Sequence, residues 1–473
     1  MKKTLLLVCC ALFLCTAHGQ YSVVVSEQSI YGTTLHSIIK EYKYPSTITC
    51  ILSEDSSSTF IYADQFMQTK EFKVPNLLVN DMIINVGSAN GREDTVFFCG
   101  KDLETGKATL GFFNVYNAFN SSGPVYLHDP FLSGENNIYI KTLTRMVSFR
   151  EGVNKHIVCI GENFNDKASM VEVVFGPSYS LVSYRAGTLD QSDEKFFDIG
   201  TARHWTDNYI VTAGMDFFMG NKYLNLRVYD INDIFAPSGI QDWKHIFCID
   251  TSFGFPWDRY DVLIRSFDDG LFATVSYIDE GLYNNNAYGS RPVQFPNSVH
   301  LGVYKVADLV SNSVSSMISS AVFEPLPLVH NSLMRFIYGS NRTLTFLEKI
   351  QDGSGNETSS FCEIGLNSSS YVSTVNKSSA RGDIYTGMDS YNLYNNYILS
   401  GFEDSDRTML KYSMETVNVV RTCHSPEKYK YIQYNPYRSV NMVNKFVNAG
   451  KRSSFKEIVV ESAQVPLTIE CEN

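Results

Sequence analysis

The chain has 473 residues, of which 44% are hydrophobic and 19% charged, and its formal net charge is −11. So acidic a chain is poorly suited to bind nucleic acid or an anionic membrane surface, because both are negatively charged. After the first residues, no stretch approaches the roughly 18 uninterrupted apolar residues that a membrane helix needs, so we expect no membrane span.

The first 19 residues have the pattern of a secretory signal peptide. Lys2 and Lys3 precede an apolar run from Leu5 to Leu14, and Ala17-His18-Gly19 provides a small-x-small cleavage site. The alternative is a lipoprotein anchored through Cys15, but Leu14 stands where such signals have a small residue. The pattern predicts a bacterial exported protein, periplasmic, cell-surface or secreted, in which residues 20–473 form the mature chain.

Seven cysteines follow the signal, namely Cys50, Cys99, Cys159, Cys248, Cys362, Cys423 and Cys471. They form no CxxC or His-spaced cluster, so a zinc site is not expected. Three of them, Cys50, Cys99 and Cys159, recur in similar apolar runs. We therefore predict that these three are buried small residues that are not bridged to each other.

A short pattern recurs along the chain: an apolar run ends on a glycine, and a basic residue follows after a polar turn. The repeat anchors are Gly100, Gly161, Gly214, Gly339 and Gly401, with Ser276 in place of glycine in one further unit and the run Ile48–Ile51 supplying another. In the stretch 396–413 this pattern predicts a second strand, a hairpin and a third strand. Seven units are counted in this way.

Each unit consists of strand-length runs separated by turn residues, without a sustained helical period. The second unit has four such runs, Met82–Val86, Thr95–Cys99, Thr109–Val115 and Val125–His128. A four-stranded unit that recurs every 40 to 60 residues or so resembles a β-propeller blade. The resemblance implies an all-β chain, a single propeller of seven four-stranded blades whose first blade is completed by one or both termini. A β-sandwich or a row of β domains is the rival, and neither a WD nor a kelch signature identifies a propeller family.

Four aspartates stand where several units begin their first strand: Asp81, Asp198, Asp261 and Asp383. In propellers the first strand lines the central channel, so the resemblance implies carboxylates around one channel mouth. Such carboxylates could hold a Ca²⁺-like cation, with Asp198 and Asp261 as the candidate ligands, or act as acid and base in glycoside cleavage. The alternative is that each aspartate only caps a turn.

The fifth unit carries a long insertion between Tyr277 and His300. Its Tyr283, Tyr288 and Arg291 could cover a pocket and stack on a sugar ring, or the insertion is a tolerated surface loop.

No nucleophile, metal cluster or cofactor motif stands out in this sequence. Our leading prediction is therefore a monomeric, non-catalytic binding or scaffold protein for a glycan or an envelope protein. The alternative is a propeller-fold, glycan-active hydrolase or lyase that uses the carboxylates at the channel mouth.

Overall fold

We describe the chain from a computed structural model. It describes residues 21–26, 37–43, 46–52, 56–63, 69–85, 94–120, 123–128, 140–189, 195–204, 207–218 and 221–231, and beyond residue 235 mainly strands as far as residue 465. Nearly all the side chains that it describes lie between residues 42 and 231. The signal-like segment, and therefore the expectation of export, falls outside these residues.

The described chain is almost all β, as predicted, and its strands form antiparallel sheets. The first sheet has the strands β2 (Ser37–Lys43), β3 (Ser46–Leu52), β4 (Ser58–Ala63), β5 (Thr69–Val74) and, at its outer edge, β33 (Ala463–Val465). The second sheet has β6 (Leu77–Asn85), β7 (Thr95–Asp102), β8 (Ala108–Asn114), β9 (Pro124–His128), β32 (Ser454–Val459) and β31 (Asn441–Asn448). The third sheet has β10 (Ile140–Glu151), β11 (Asn154–Asn163), β12 (Ala168–Phe175) and β13 (Leu181–Thr188).

Four further sheets follow the same plan. The fourth sheet has β14 (Lys195–His204), β15 (Asp207–Phe218), β16 (Asn221–Asp230) and β19 (Lys244–Thr251), beside a small hairpin of β17 (Phe235–Ala236) and β18 (Gly239–Ile240). The fifth sheet has β20 (Tyr260–Ser266), β21 (Leu271–Ile278), β22 (Ser298–Lys305) and β23 (Ser319–Phe323). The sixth sheet has β24 (Arg335–Gly339), β25 (Thr343–Gln351), β26 (Glu357–Gly365) and β27 (Thr374–Ser379). The seventh sheet has β28 (Ile384–Tyr391), β29 (Asn396–Glu403), β30 (Asp406–Thr416) and β1 (Tyr21–Ser26).

The arrangement is propeller-like, because the first strand of each sheet contacts the first strands of its neighbours. These contacts run in chain order from β2 through β6, β10, β14, β20 and β24 to β28, and β28 also contacts β2. Helical structure is scarce in the described chain: α1 (Val115–Asn120) follows β8, and a 3-10 turn spans Pro177–Tyr179. No described helix is long and apolar enough to cross a membrane.

Two predictions about the repeat were wrong in detail. The run Phe336–Gly339 was taken as a second strand but lies in β24, the first strand of its sheet, because a short apolar run before a glycine fits either strand. The N-terminal strand β1 pairs with β30 and so completes the seventh sheet, not the first. The C-terminal strand β33 does lie beside the first sheet, where it pairs with β5.

The core lies between neighbouring sheets, and successive residues of one strand face opposite neighbours. On β7, Val96 and Phe98 pack toward the first sheet, whereas Phe97 and Cys99 pack toward the third. A strand that is buried on both faces needs apolar residues at every position. This explains why the repeat reads as a continuous apolar run and not as an alternating one.

The cysteines Cys50, Cys99 and Cys159 are buried and free, which confirms the prediction made for them. However, they do not occupy one equivalent position. Cys99 directly precedes Gly100, whereas Cys159 stands two residues before Gly161, so the two side chains face each other across the interface of the second and third sheets. The Cys159 thiol hydrogen-bonds to that of Cys99, and burial is the main cause that raises the pKa of Cys99. The expectation that these positions lie far apart was therefore wrong for this pair.

Candidate functional site

The anchor glycines of the repeat lie opposite β-bulges in the first strands of the sheets. Gly100 pairs with Val79 and the next pair is Cys99 with Asp81, so Asn80 is the extra residue. The same shift lies opposite Gly161 and Gly214. A β-carbon on Gly161 would lie 1.9 Å from the Thr142 carbonyl oxygen. Only glycine leaves room for the bulged strand, which explains why the repeat keeps it.

Each of these three bulges is followed by a charged residue at one equivalent position of the innermost strand. These residues are Asp81 on β6, Arg145 on β10 and Asp198 on β14. Three consecutive sheets therefore present negative, positive and negative charge in order. We refer to Asp81, Arg145 and Asp198 as the inner charge cluster.

The two aspartates of this cluster bind the backbone of the neighbouring sheet. Asp81 Oδ1 accepts the N–H of Met82 at 2.9 Å, and its Oδ2 accepts the N–H of Met146 on β10, also at 2.9 Å. Asp198 Oδ2 accepts the N–H of Ile264 on β20 at 2.8 Å. Both carboxylates thus join one innermost strand to the next, which keeps their orientation fixed.

The bulged Asn80 adds a second link between the same two strands. Its Nδ2 donates to the Leu143 carbonyl oxygen at 2.6 Å and to Thr142 Oγ1 at 3.1 Å. Arg145 therefore lies on a strand that is held on both sides of it.

Electrostatics distinguish Asp198 from an ordinary surface carboxylate. Its side chain is 13% exposed, and Arg145 Nε lies 4.0 Å from its Oδ1. Burial raises the pKa of Asp198 to about 6, although Arg145 and two backbone N–H groups act in the opposite direction. Repulsion from Asp81 also raises this pKa, so the two carboxylates lie within electrostatic reach of each other. Asp198 can accordingly carry a proton at mildly acidic pH.

The structure brings together only two of the predicted site residues. Asp81 and Asp198 lie on innermost strands, but Asp81 is within β6 and not at its start. Asp261 on β20 pairs with Tyr277, whereas the position equivalent to Asp198 is Leu263. The prediction of four equivalent aspartates was therefore wrong, because spacing along the chain does not count bulged residues.

The other predicted residues, Asp383, Tyr283, Tyr288 and Arg291, lie outside the described residues. Among the residues that are described, no group of three His, Cys, Asp or Glu side chains is suited to a metal ion. The side chain of Asp261 is not described, so a cation at Asp198 and Asp261 stays a prediction.

Sequence reasoning missed Arg145, which is the positive member of the cluster. A signal for it exists, since both Arg145 and Asp198 stand 16 residues before their anchor glycines, Gly161 and Gly214. Counting back from each glycine would have found the equivalent residue, whatever its charge.

A second charged cluster lies within the third sheet. The buried Glu172 accepts a hydrogen bond from Arg185 Nε at 2.6 Å, and its Oε1 lies 2.8 Å from His156 Nδ1. His156 Nε2 lies 3.4 Å from the exposed Glu151, and its ring stacks on Phe149. Arg185 also donates to the Ile231 carbonyl oxygen at 3.3 Å, which links this sheet to the fourth. Its contacts are those of a structural ion-pair network.

No protein-family model matches the chain, and no curated protein matches it either. Solved structures do match. One is a triple mutant of AofleA from Arthrobotrys oligospora, with 11% identity, coverage of 77% of this chain and 94% of the other, and a TM-score of 0.37. Another is an alpha-L-arabinanase from Penicillium chrysogenum in complex with arabinobiose, with 10% identity, coverage of 76% and 97%, and a TM-score of 0.33. A third is a mutant of the alpha-L-arabinofuranosidase Arb93A from Fusarium graminearum with an iminosugar inhibitor, with 8% identity, coverage of 84% and 98%, and a TM-score of 0.37.

These comparisons correct the leading prediction from the sequence. Two of the three titles name glycan-cleaving enzymes, which goes against a non-catalytic binding or scaffold protein and favours the glycan-active alternative. At these TM-scores the matches assign neither an activity nor a catalytic residue to this chain. The argument for function therefore rests on the inner charge cluster.

Proposed function

We propose that this chain is a glycan-active hydrolase or lyase and that Asp198 is its acid/base carboxylate. The observation that carries the proposal is the position of Asp198: a largely buried carboxylate on an innermost strand, oriented by the N–H of Ile264 and adjacent to Arg145. Cleavage of a glycosidic bond needs a group that can hold a proton for the leaving oxygen near neutral pH.

Asp81 supplies the second carboxylate of the pair that such enzymes use. Its charge contributes to the raised pKa of Asp198, as expected where two acids divide the roles of proton donor and charged partner. The proton of neutral Asp198 belongs on Oδ1, because Oδ2 accepts the Ile264 N–H. Arg145 lies on the Oδ1 side at 4.0 Å and favours return of Asp198 to the ionised form after proton transfer.

We further propose that the seven sheets are the blades of one closed ring, with β1 as the strand that joins the two ends of the chain. The contact of β28 with β2 and the pairing of β1 with β30 support this arrangement. The signal-like first 19 residues support export, and N-terminal sequencing of the protein from its native host would test it.

The proposed activity is tested by the release of reducing or unsaturated ends from a panel of glycans, arabinan among them. We expect turnover on at least one glycan by the wild type. Asp198→Asn keeps an acceptor oxygen for Ile264 but cannot supply a proton, so we expect its rate to fall at least about 100-fold. Surface variant Asp102→Asn is the control and should keep the wild-type rate. If no glycan is cleaved, or if Asp198→Asn retains full activity in a folded state, the proposal is wrong.

A further inference from the structure

Lys155 differs from the other described lysines in its surroundings. It lies on β11 between Arg150 on β10 and Phe175 on β12, and only 8% of the residue is exposed. Its Nζ lies over the ring of the fully buried Phe97 on the second sheet, 5.1 Å from the ring centroid. Within the described part of the chain, no carboxylate pairs with it.

The groups around this amine are aromatic or positively charged. Phe97 contacts Phe112, Phe175 and Tyr179, which together form an aromatic wall between the second and third sheets. The charged group nearest to Lys155 on its own hairpin is Arg150, and the acidic Glu172 faces His156, one residue along β11. An ammonium ion is thus desolvated here with only a ring face to stabilise it.

Tyr179 indicates that this corner is specifically built. It has a left-handed backbone, with φ of 57°, which is uncommon for a bulky residue. Its hydroxyl accepts a hydrogen bond from Asn85 Nδ2 on the second sheet at 2.7 Å. A strained residue that is tied to a neighbouring sheet holds the aromatic wall in place beside Lys155.

We propose that Lys155 is a modification site at which small aldehydes form an imine with Nζ. The lone pair of the neutral amine attacks the carbonyl carbon, and the amine proton passes to the oxygen to give a carbinolamine. Loss of water then gives the imine, and no oxidant or reductant takes part. In support, burial and the neighbouring Arg150 lower the pKa of Lys155 to about 7, so the nucleophilic form is well populated at neutral pH.

Lys141 is a matched control in the same sheet. Its Nζ is 2.7 Å from Asp166 Oδ1, and this hydrogen bond raises the pKa of Lys141. At pH 7 it is therefore almost entirely an ammonium ion, although it is far more accessible than Lys155. Accessibility and reactivity thus predict opposite orders of labelling for the two lysines.

The experiment is a short exposure of the folded wild-type chain to glycolaldehyde and cyanoborohydride at pH 7, followed by peptide mass spectrometry. The hydride reduces the imine to a stable secondary amine. We expect Lys155 to be modified at least tenfold faster than Lys141, and expect this preference to vanish in denaturant. The Lys155→Met variant should lose the fast-labelled peptide. Equal labelling, or faster labelling of Lys141 in the folded chain, would overturn the proposal, and neither result bears on glycan cleavage.

Discussion

A β-carbon at Gly161 tests the account of the repeat most sharply. In Gly161→Ala the new atom would lie 1.9 Å from the Thr142 carbonyl oxygen and 2.9 Å from the Leu143 α-carbon. Both contacts are with backbone, so the bulged part of β10 must move by more than 1 Å to restore a normal separation. We expect the free energy of unfolding to fall by about 3 kcal/mol, which is the upper end of the usual cost of overpacking.

The control for this variant is Gly152→Ala in the hairpin turn of the same sheet. Gly152 has a φ of 60° and open space around its α-carbon, so alanine there costs only the left-handed backbone, about 1 kcal/mol. Urea unfolding followed by tyrosine and tryptophan fluorescence compares the two variants. If Gly161→Ala is no less stable than Gly152→Ala, the steric explanation of the anchor glycines is wrong.

Three further predictions follow from the described side chains. The pKa of Asp198 is raised to about 6 from an unfolded value of about 3.9, so its stabilising effect is full below pH 4 and is lost as the pH rises through 6; this should lower the free energy of unfolding by about 3 kcal/mol, a slope that Asp198→Asn should lack. Cys99 and Cys159 should resist a thiol reagent in the folded chain and react on unfolding, and a disulfide between them in purified protein would contradict the free thiols described here. Glu172→Gln removes the buried partner of Arg185 and should destabilise the chain by about 3 kcal/mol in thermal or urea unfolding; a loss below about 0.5 kcal/mol would contradict the network.

The sequence predicted the sheets well, because both signals for them are local. Apolar runs of strand length and turn residues mark β6 to β9 nearly as the structure has them. The sequence also marked the anchor glycines, but their cause lies in the carbonyl of a facing strand. That cause was invisible without the pairing of Gly100 with Val79.

The candidate site was predicted less completely, for a reason of register. A bulge adds one residue to a strand without changing its pairing partner further along, so equal spacing along the chain does not give equal positions. Asp261 was grouped with Asp198 for this reason, and Arg145 was missed because its charge differs from that of the aspartates. The facing of Cys99 and Cys159 followed from a shift of one residue, which moves a side chain to the opposite face of its strand.

The pH dependence of glycan cleavage tests the central claim most directly. The measurement is the initial rate at saturating concentration of whichever glycan is cleaved, from pH 4 to pH 9, for the wild type. If Asp198 donates the proton, the rate should fall tenfold per pH unit above a pKa near 6, since the ionised form has no proton to give. A rate that is flat from pH 5 to pH 9, or no cleavage of any glycan, would contradict the assignment of Asp198 as the acid.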